Sequence, residues 1–318
     1  MDSKAELQFE YLPFIRTYKS GLVERLCGTE ILPATTYPAT GVVSKDVIID
    51  SDTSIAARLF LPTSARHLRN KLPIVVYYHG GGFCIGSPYC PPYHFFVSSL
   101  VARANVIAVS VDYRLAPEHP LPIAYDDSLR ALQWVASHAK GGHEEWLANL
   151  ADFEHLFLAG DSAGANIAHR MAVRAGEAGL KHGVRIKGMA FLHPFFWGTQ
   201  PVGLETRDAG VRAGIEGLWQ LVCAGRMGMD DECANPMADG VAGMAGVACE
   251  RVLVCVAEMD VLRERGKAYC EGLTKSGWGG EVDLLESVGE EHVFYMFRPE
   301  CKKALELMER LVAFFSRD

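Results

Sequence analysis

The stretch 155–174, HLFLAGDSAGANIAHRMAVR, decides the fold of this chain. Its first five residues form a short apolar run typical of a buried strand, and its last twelve are rich in helix formers. Between the two, Gly160 and Gly164 flank Ser162 in a G-x-S-x-G pattern. A serine on so tight a turn sits in a strained backbone conformation, and a side chain two residues away on either side would collide with the turning chain. The stretch therefore predicts a nucleophilic Ser162 between a strand and a helix.

A second glycine-rich segment, HGGGF at residues 79–83, follows the apolar and aromatic run 72–78, which reads as a central strand. Glycines at such a place let backbone N–H groups point at an oxygen that becomes negative in a transition state. Each such donor lowers a barrier by roughly 3–4 kcal/mol. We expect His79 to shape this loop by hydrogen bonding rather than to act as a base. The alternative is a plain glycine turn after a strand.

Two further strands end in residues that could complete a catalytic triad. The strand 251–257 precedes Glu258 and Asp260, and the strand 282–286 precedes His292. The order nucleophile, acid, histidine is that of hydrolases built on an open α/β sheet, where ligands gather at the carboxyl edge. Histidine can take the proton of the serine, and a carboxylate can hold the imidazole in the useful tautomer. Asp260 is the preferred acid, and Glu258 is the alternative.

Strand and helix patterns alternate from residue 73 onward, which predicts a mostly parallel sheet covered by helices on both faces. The first two strands lack an intervening helix and should pair antiparallel at one edge. The predicted strands lie near 43–50, 55–61, 73–79, 105–111, 155–159, 186–192, 251–257 and 281–286. The predicted helices lie near 92–104, 122–140, 163–176, 211–224, 261–276 and 299–316.

Two segments depart from this alternation and are expected to cover the site. Residues from about 5 to 20 carry apolar side chains at helical spacing, which predicts an amphipathic helix. Residues 195–246 read as an insertion between strands. We expect a small helical cap formed by about 1–25 and 195–246. The candidates to line a substrate pocket, each of which could equally be core, are Phe83, Phe195, Trp197, Leu218, Trp219 and Val293.

Taken together, these motifs resemble the hormone-sensitive-lipase group of α/β hydrolases, and more closely its plant carboxylesterases, a group that also contains the gibberellin receptors. The resemblance runs from about residue 8 to the C-terminus. The segments that carry it are 39–47 (ATGVVSKDV), 79–83 (HGGGF), 112–118 (DYRLAPE), 160–166 (GDSAGAN), 258–263 (EMDVLR), 276–281 (SGWGGE) and 291–294 (EHVF).

The resemblance implies an α/β-hydrolase fold in a single domain, 1–318, and an oxyanion hole formed by the N–H groups of Gly81, Gly82 and Ala163. Ala163 is physically suited to this role because it begins a helix, where the N–H is free and lies at the positive end of the dipole. The implied activity is hydrolysis of small to medium carboxylic esters through an acyl-enzyme on Ser162. These motifs are specific for the family but not for a substrate.

Three other functions stay open. Gibberellin receptors of this group lack the catalytic histidine, so His292 argues against a pure receptor. The 2-hydroxyisoflavanone dehydratases typically carry threonine at the nucleophile, whereas residue 162 is serine, which weakens a lyase or cyclase reading. An acyltransferase, in which an alcohol replaces water, would use the same residues.

Composition places limits on partners and cofactors. A net charge of −8 disfavours nucleic acid and anionic membrane surfaces as partners. We expect no secretory signal and no membrane span, since the N-terminus lacks an apolar core and no run of 18 apolar residues occurs. No C-x-x-C pair and no nucleotide-binding motif occurs, so we expect no metal and no cofactor. The nine cysteines are an odd number spread through the chain, which favours a reducing compartment, the cytoplasm and perhaps the nucleus. The oligomeric state is not predicted.

Overall fold

The structure is a computed structural model that describes residues 6–37, 41–67 and 70–317. It is built around a large central sheet. The strands are β1 (Leu7–Tyr11), β2 (Ile15–Tyr18), β3 (Val23–Arg25), β4 (Thr36–Tyr37), β5 (Val42–Asp50), β6 (Ile55–Pro62), β7 (Leu72–Tyr78), β8 (Ile107–Asp112), β9 (Ala151–Asp161), β10 (Ile186–Leu192), β11 (Arg251–Ala257) and β12 (Glu281–Ser287). The helices are α1 (Pro91–Ala104), α2 (Ile123–Ser137), α3 (Glu145–Leu150), α4 (Ala163–Ala178), α5 (Ala209–Val222), α6 (Arg263–Lys275), α7 (Phe294–Phe297) and α8 (Lys302–Phe315).

The nine strands β4–β12 form the central sheet in the order β12-β11-β10-β9-β7-β8-β6-β5-β4. Neighbours among β7 to β12 pair in parallel, and β5 and β6 pair antiparallel, as predicted. All eight predicted strands are present. The largest difference is at β9, which begins at Ala151 rather than 155 because its first residues pair with the start of β7.

Alternate residues of β7 show why the sheet is covered on both faces. Ile74, Val76 and Tyr78 belong to the core cluster that holds buried side chains of α2, α4, α5 and α6. Val75 and Tyr77 belong to a second cluster, with α1, α7 and α8. Since successive side chains of a strand point to opposite faces, a run that is apolar throughout must be buried on both. The fold class is therefore an α/β-hydrolase fold with helices on both faces of a mostly parallel sheet.

The N-terminal segment corrects one prediction. In place of a helix over residues 5–20, β1, β2 and β3 form a separate antiparallel sheet, here called the N-terminal sheet. Proline has no N–H and its ring clashes with the preceding turn, so Pro13 cannot lie inside a helix without breaking it. In β2, Ile15 and Thr17 are buried while Arg16 and Tyr18 are half-buried, the alternation of a strand. Residues 1–5 lie outside the described part of the chain.

The N-terminal sheet packs against α5, the helix of the 195–246 insertion. A Cβ added at Gly217 would lie 2.8 Å from Cε2 of Phe9, and one at Gly214 would lie 3.3 Å from Cε2 of Tyr11. Two glycines three residues apart on α5 thus leave room for two aromatic rings of β1. The segments named in the cap prediction are neighbours in the fold, although only the insertion contributes a helix. Among the described residues, no helix is long and apolar enough to cross a membrane.

Candidate active site

Ser162 lies on the turn between β9 and α4, with φ 49° and ψ −118°, a backbone conformation that residues other than glycine rarely adopt. A Cβ at Gly164 would lie 1.9 Å from the carbonyl oxygen of Tyr78, and one at Gly160 would lie 2.5 Å from the carbonyl carbon of Gly164. Only glycine fits at either position. The Ser162 N–H donates to the carbonyl of Leu192 at 2.9 Å, which fixes the turn to β10.

The glycine loop after β7 presents free backbone donors. Gly81 and Gly82 have φ of 95° and 57°, and a Cβ at Gly81 would lie 2.2 Å from the carbonyl oxygen of Ile85. Across the ranges that the structure describes, the N–H groups of Gly81, Gly82 and Ala163 donate to no other residue. Ala163 is the first residue of α4, where the N–H has no partner within the helix. The loop and the helix start therefore offer unsatisfied donors.

Asp161 joins the serine turn to the glycine loop. Its Oδ1 accepts hydrogen bonds from the Gly80 N–H at 3.0 Å and the Tyr77 hydroxyl at 2.8 Å, and its Oδ2 accepts one from Tyr93 at 3.1 Å. Burial raises the pKa of Asp161 to about 6, although the tyrosine hydrogen bonds and the charge of His292 oppose the shift. Sequence reasoning missed this residue because it occupies a wildcard position of the motif, where no residue type is prescribed.

His79 stabilises the same loop from below. Its Nδ1 lies 2.8 Å from the Gly80 carbonyl oxygen, and its ring stacks on Tyr113 with centroids 4.3 Å apart. Burial lowers the pKa of His79 to about 4, so the ring is neutral. As predicted, His79 forms a hydrogen bond within the loop.

The imidazole of His292 is paired with Asp260. His292 Nδ1 lies 2.6 Å from Asp260 Oδ2, and Asp260 Oδ1 accepts the Leu262 N–H at 3.0 Å. Burial opposes ionisation of both groups. The charge of each partner and their shared hydrogen bond outweigh it, so the pKa of Asp260 is lowered and that of His292 is raised. Glu258 instead accepts the Gly289 N–H at 2.8 Å. Of the two candidate acids, the structure brings Asp260 to the histidine.

A third residue, His193, lies beside this pair. One potential metal-ligand atom each of His193, Asp260 and His292 lies within 4.8 Å of the other two, a spacing that could hold a metal ion. Hydrogen bonds account for the cluster, since His193 Nδ1 accepts the Val293 N–H at 2.8 Å and His292 Nδ1 faces the carboxylate. In the sequence, His193 is marked only by its place at a strand end.

Four adjacent strand ends assemble these residues. Ser162 follows β9, His193 follows β10, and Asp260 and His292 lie beyond β11 and β12. Because these strands are parallel neighbours, their carboxyl ends share one edge of the sheet. Among the described residues, no hydrogen bond joins the Ser162 hydroxyl to His292. Such contacts are often long until a substrate tightens them.

The predicted pocket residues fall into two groups. The rings of Phe83, Phe195 and Trp219 lie 5.9–6.2 Å apart as one cluster, and Leu218 beside them reaches within 3.1 Å of a Cβ placed at Gly82. All four side chains are buried, and Leu218 lies against the glycine loop. Trp197 is fully buried with the Arg212 guanidinium 4.9 Å above its ring. The N–H of Val293 is bound to His193.

Comparisons with known proteins agree with this architecture. Residues 75–296 match the family described as having an alpha/beta hydrolase fold. The chain is 45% identical over 315 residues to probable carboxylesterase 2 of Arabidopsis thaliana, which covers 99% of this chain and 98% of that protein. It is 43% identical to tuliposide A-converting enzyme 2, chloroplastic, of Tulipa gesneriana, over 97% of this chain and 78% of that protein.

Among solved structures, esterase LipW from Mycobacterium marinum superposes with a TM-score of 0.71 at 25% identity, covering 87% of this chain and 82% of that one. The sheet order, the serine turn and the full-length similarity to carboxylesterases all point to the same family. The chain belongs to the plant carboxylesterase family of α/β hydrolases.

Proposed function

We propose that this protein is a serine carboxylesterase in which Ser162 is the nucleophile, His292 the general base and Asp260 its orienting acid. The observation that carries the proposal is the 2.6 Å contact between His292 Nδ1 and Asp260 Oδ2 at the sheet edge where the Ser162 turn also lies. A serine hydroxyl is a weak nucleophile at its own pKa and needs a neighbouring base.

In the proposed reaction, His292 takes the hydroxyl proton as Ser162 Oγ bonds to the ester carbonyl carbon. The carbonyl oxygen becomes negative and accepts hydrogen bonds from the free N–H groups of Gly81, Gly82 and Ala163. His292 then gives its proton to the leaving alcohol as the C–O bond breaks, which leaves an acyl-enzyme. Water attacks this ester by the same steps and releases the carboxylic acid.

The electrostatics of the pair suit this role. The Asp260 carboxylate is buried and its pKa is lowered, so it stays ionised and stabilises the imidazolium that forms during each proton transfer. His292 is about one third exposed, with its Nδ1 held by Asp260, so its other nitrogen is free to exchange protons. The single buried acid and the partly exposed base thus have different tasks.

We propose further that 1–318 is a single domain whose cap consists of the N-terminal sheet and residues 195–246. Leu218 of α5 lies against Gly82, and Phe83, Phe195 and Trp219 stand beside it, so the cap would bound the acyl or alcohol part of a small ester. The expected partner is a small-molecule ester rather than nucleic acid or a membrane. We also propose a cytoplasmic location, although one relative is named as a chloroplastic protein and another as a mitochondrial one.

The test is hydrolysis of p-nitrophenyl acetate, butyrate and octanoate by the wild type and by Ser162→Ala. We expect the wild type to favour short chains and the variant to lose turnover while keeping its melting temperature. Ser128→Ala is the matched control, since that buried hydroxyl has no hydrogen-bond partner among the described residues. Mass spectrometry after diisopropyl fluorophosphate should show one adduct in the wild type and none in Ser162→Ala. Turnover or labelling retained by that variant would overturn the proposal.

A further inference from the structure

His193 is a buried histidine that the proposed reaction does not use. It is the first residue after β10, is 1% exposed and has φ 50°. Its backbone N–H donates to the Cys255 carbonyl of β11 at 2.8 Å, so its position is fixed by the sheet. The ring reaches toward the loop that carries His292, with the two ring centroids 5.7 Å apart.

One hydrogen bond defines the state of this ring. His193 Nδ1 lies 2.8 Å from the backbone nitrogen of Val293, which can only donate. Nδ1 must therefore accept, so it carries no proton, and the ring proton is on Nε2. Burial and the charge of His292 lower the pKa of His193 to about 3 despite the opposing charge of Asp260. The ring is thus a neutral acceptor at neutral pH.

The Nδ1 of His193 accepts its hydrogen bond from a strained backbone position, Val293. Val293, immediately after His292, has φ 47° and ψ 31°. This left-handed conformation is unusual for a β-branched residue and persists only where the surroundings hold it in place. His193 supplies the hydrogen bond that holds it, one residue from the proposed base.

We infer that His193 is a positioning residue: its neutral Nδ1 anchors the Val293 N–H and so orients the His292 ring toward Asp260. This inference rests on the proposed function for the role of His292. His193 Nδ1 is also 3.7 Å from Asp260 Oδ2. Because the ring carries no charge and its Nδ1 no proton, it leaves that oxygen to His292.

The surroundings of His193 contain few other groups that ionise. Asp260 and His292 face it, the Phe294 ring stacks on it with centroids 5.8 Å apart, and Tyr295 meets it edge-on at 5.5 Å. Burial raises the pKa of Tyr295 well above its ordinary value, so that tyrosine stays neutral. A change in the titration of His292 on altering His193 would therefore reflect the geometry of the Asp260 pair.

The test compares His193→Asn with His193→Leu in the full-length protein. Asparagine tolerates positive φ and places a carbonyl oxygen near the position of Nδ1, whereas leucine has similar bulk and no acceptor. For His193→Leu we expect kcat to fall about tenfold or more, the order of one hydrogen bond, with KM within twofold of the wild type. For His193→Asn we expect kcat within threefold of the wild type.

The second readout is the pKa of His292, followed by NMR of its ring signals, which are assigned from their loss in His292→Gln. It should move toward the ordinary histidine value in His193→Leu and stay raised in His193→Asn. An unchanged His292 pKa and kcat in folded His193→Leu would show that His193 only fills space. Loss of kcat in His193→Asn to the level of His193→Leu would exclude the acceptor role.

These measurements separate this inference from the proposed function. If Ser162→Ala kept its turnover, the esterase assignment would fail, but the His292 titration in the two variants would still decide whether His193 orients that ring. If His193→Leu did not fold, a His292 pKa that is no longer raised in folded His193→Asn would overturn the inference, and a retained one would support it.

Discussion

The carboxyl edge of the sheet and the proposed cap are built by different kinds of contact. At the edge, glycines bring backbone against backbone, as where Gly164 meets the Tyr78 carbonyl, and buried charges such as Asp260 have fixed partners. The proposed cap docks through side chains, with Phe9 and Tyr11 lying on α5. A cavity of about 630 Å³ lies between the N-terminal sheet and that helix.

This difference teaches which changes each region can absorb. Backbone contacts cannot relax without moving strands, because protein interiors are close-packed. Ring contacts beside a cavity can shift at little cost. We therefore expect substitutions at the sheet edge to abolish folding or catalytic activity. Substitutions in the proposed cap should change substrate preference, with smaller effects on the rate.

The largest effect is expected for Gly164→Ala. The added Cβ would lie 1.9 Å from the Tyr78 carbonyl oxygen, so the serine turn or β7 must move. We expect destabilisation by more than about 3 kcal/mol and loss of activity, measured by urea unfolding and ester hydrolysis. Gly279→Ala is the control, since nothing lies within 4 Å of its Cβ. A stable, active Gly164→Ala would show that the turn is as adaptable as the proposed cap.

Asp260→Asn should come next, with kcat lower by about 10⁴-fold because the amide would favour the wrong imidazole tautomer. Glu258→Gln is its matched control, since that carboxylate accepts only the Gly289 N–H among the described residues. We expect the control to keep kcat within a few-fold of the wild type. The reverse result would make Glu258 the acid.

The pH dependence of activity also tests the pairing of Asp260 with His292. His292 must be neutral to act as a base, and its pKa is raised because the charge and hydrogen bond of Asp260 outweigh the effect of burial. Activity should therefore be full above this pKa and fall as pH drops through it, with the half-maximum of kcat/KM above about 6.5. In Asp260→Asn the half-maximum should move to lower pH. A profile that does not move would mean that another group titrates.

Leu218→Ala tests the proposed cap, where the effect should be on selectivity. The side chain lies against Gly82, so truncation opens space beside the glycine loop. We expect kcat/KM for octanoate relative to acetate to rise about tenfold, the order of one methylene in an apolar pocket. Leu221→Ala is the control, since that residue lines the cavity toward the N-terminal sheet. An equal change in both variants would indicate general loosening of α5.

The smallest effect on activity is expected for Arg25→Ala. This β3 side chain donates to the Cys84 carbonyl at 2.7 Å and to the Ala116 carbonyl at 3.1 Å, and it pairs with Glu118. The ion pair is partly exposed and contributes no more than about 1 kcal/mol, and the two bonds to backbone carbonyls add about 1 kcal/mol each. We expect kcat/KM to fall a few-fold and limited proteolysis near the N-terminus to quicken. The partners of Arg16, Glu10 and Glu24, both lie within the same sheet, so Arg16→Ala should change neither kcat/KM nor the rate of proteolysis.

The two regions also differ in how well the sequence predicted them. The strands of the central sheet, the serine turn and the two loops that carry the acid and the base follow from local patterns, because a buried parallel strand is apolar throughout and a tight turn needs glycine. The N-terminal segment was predicted wrongly, because its apolar residues recur at helical spacing and the prediction took no account of Pro13. The helix α3 and the strand β4 are too short for any periodicity to show.

By itself, the sequence determined the α/β-hydrolase class, the serine turn, the glycine loop and the two loops that carry the acid and the base, since each depends on residues close together in the chain. The tertiary structure alone decided that Asp260 rather than Glu258 meets His292, that Asp161 joins the turn to the glycine loop, and that His193 holds the backbone after His292. These contacts join residues 32 to 100 positions apart. Their distances follow from strand register and sheet order, which no local pattern encodes.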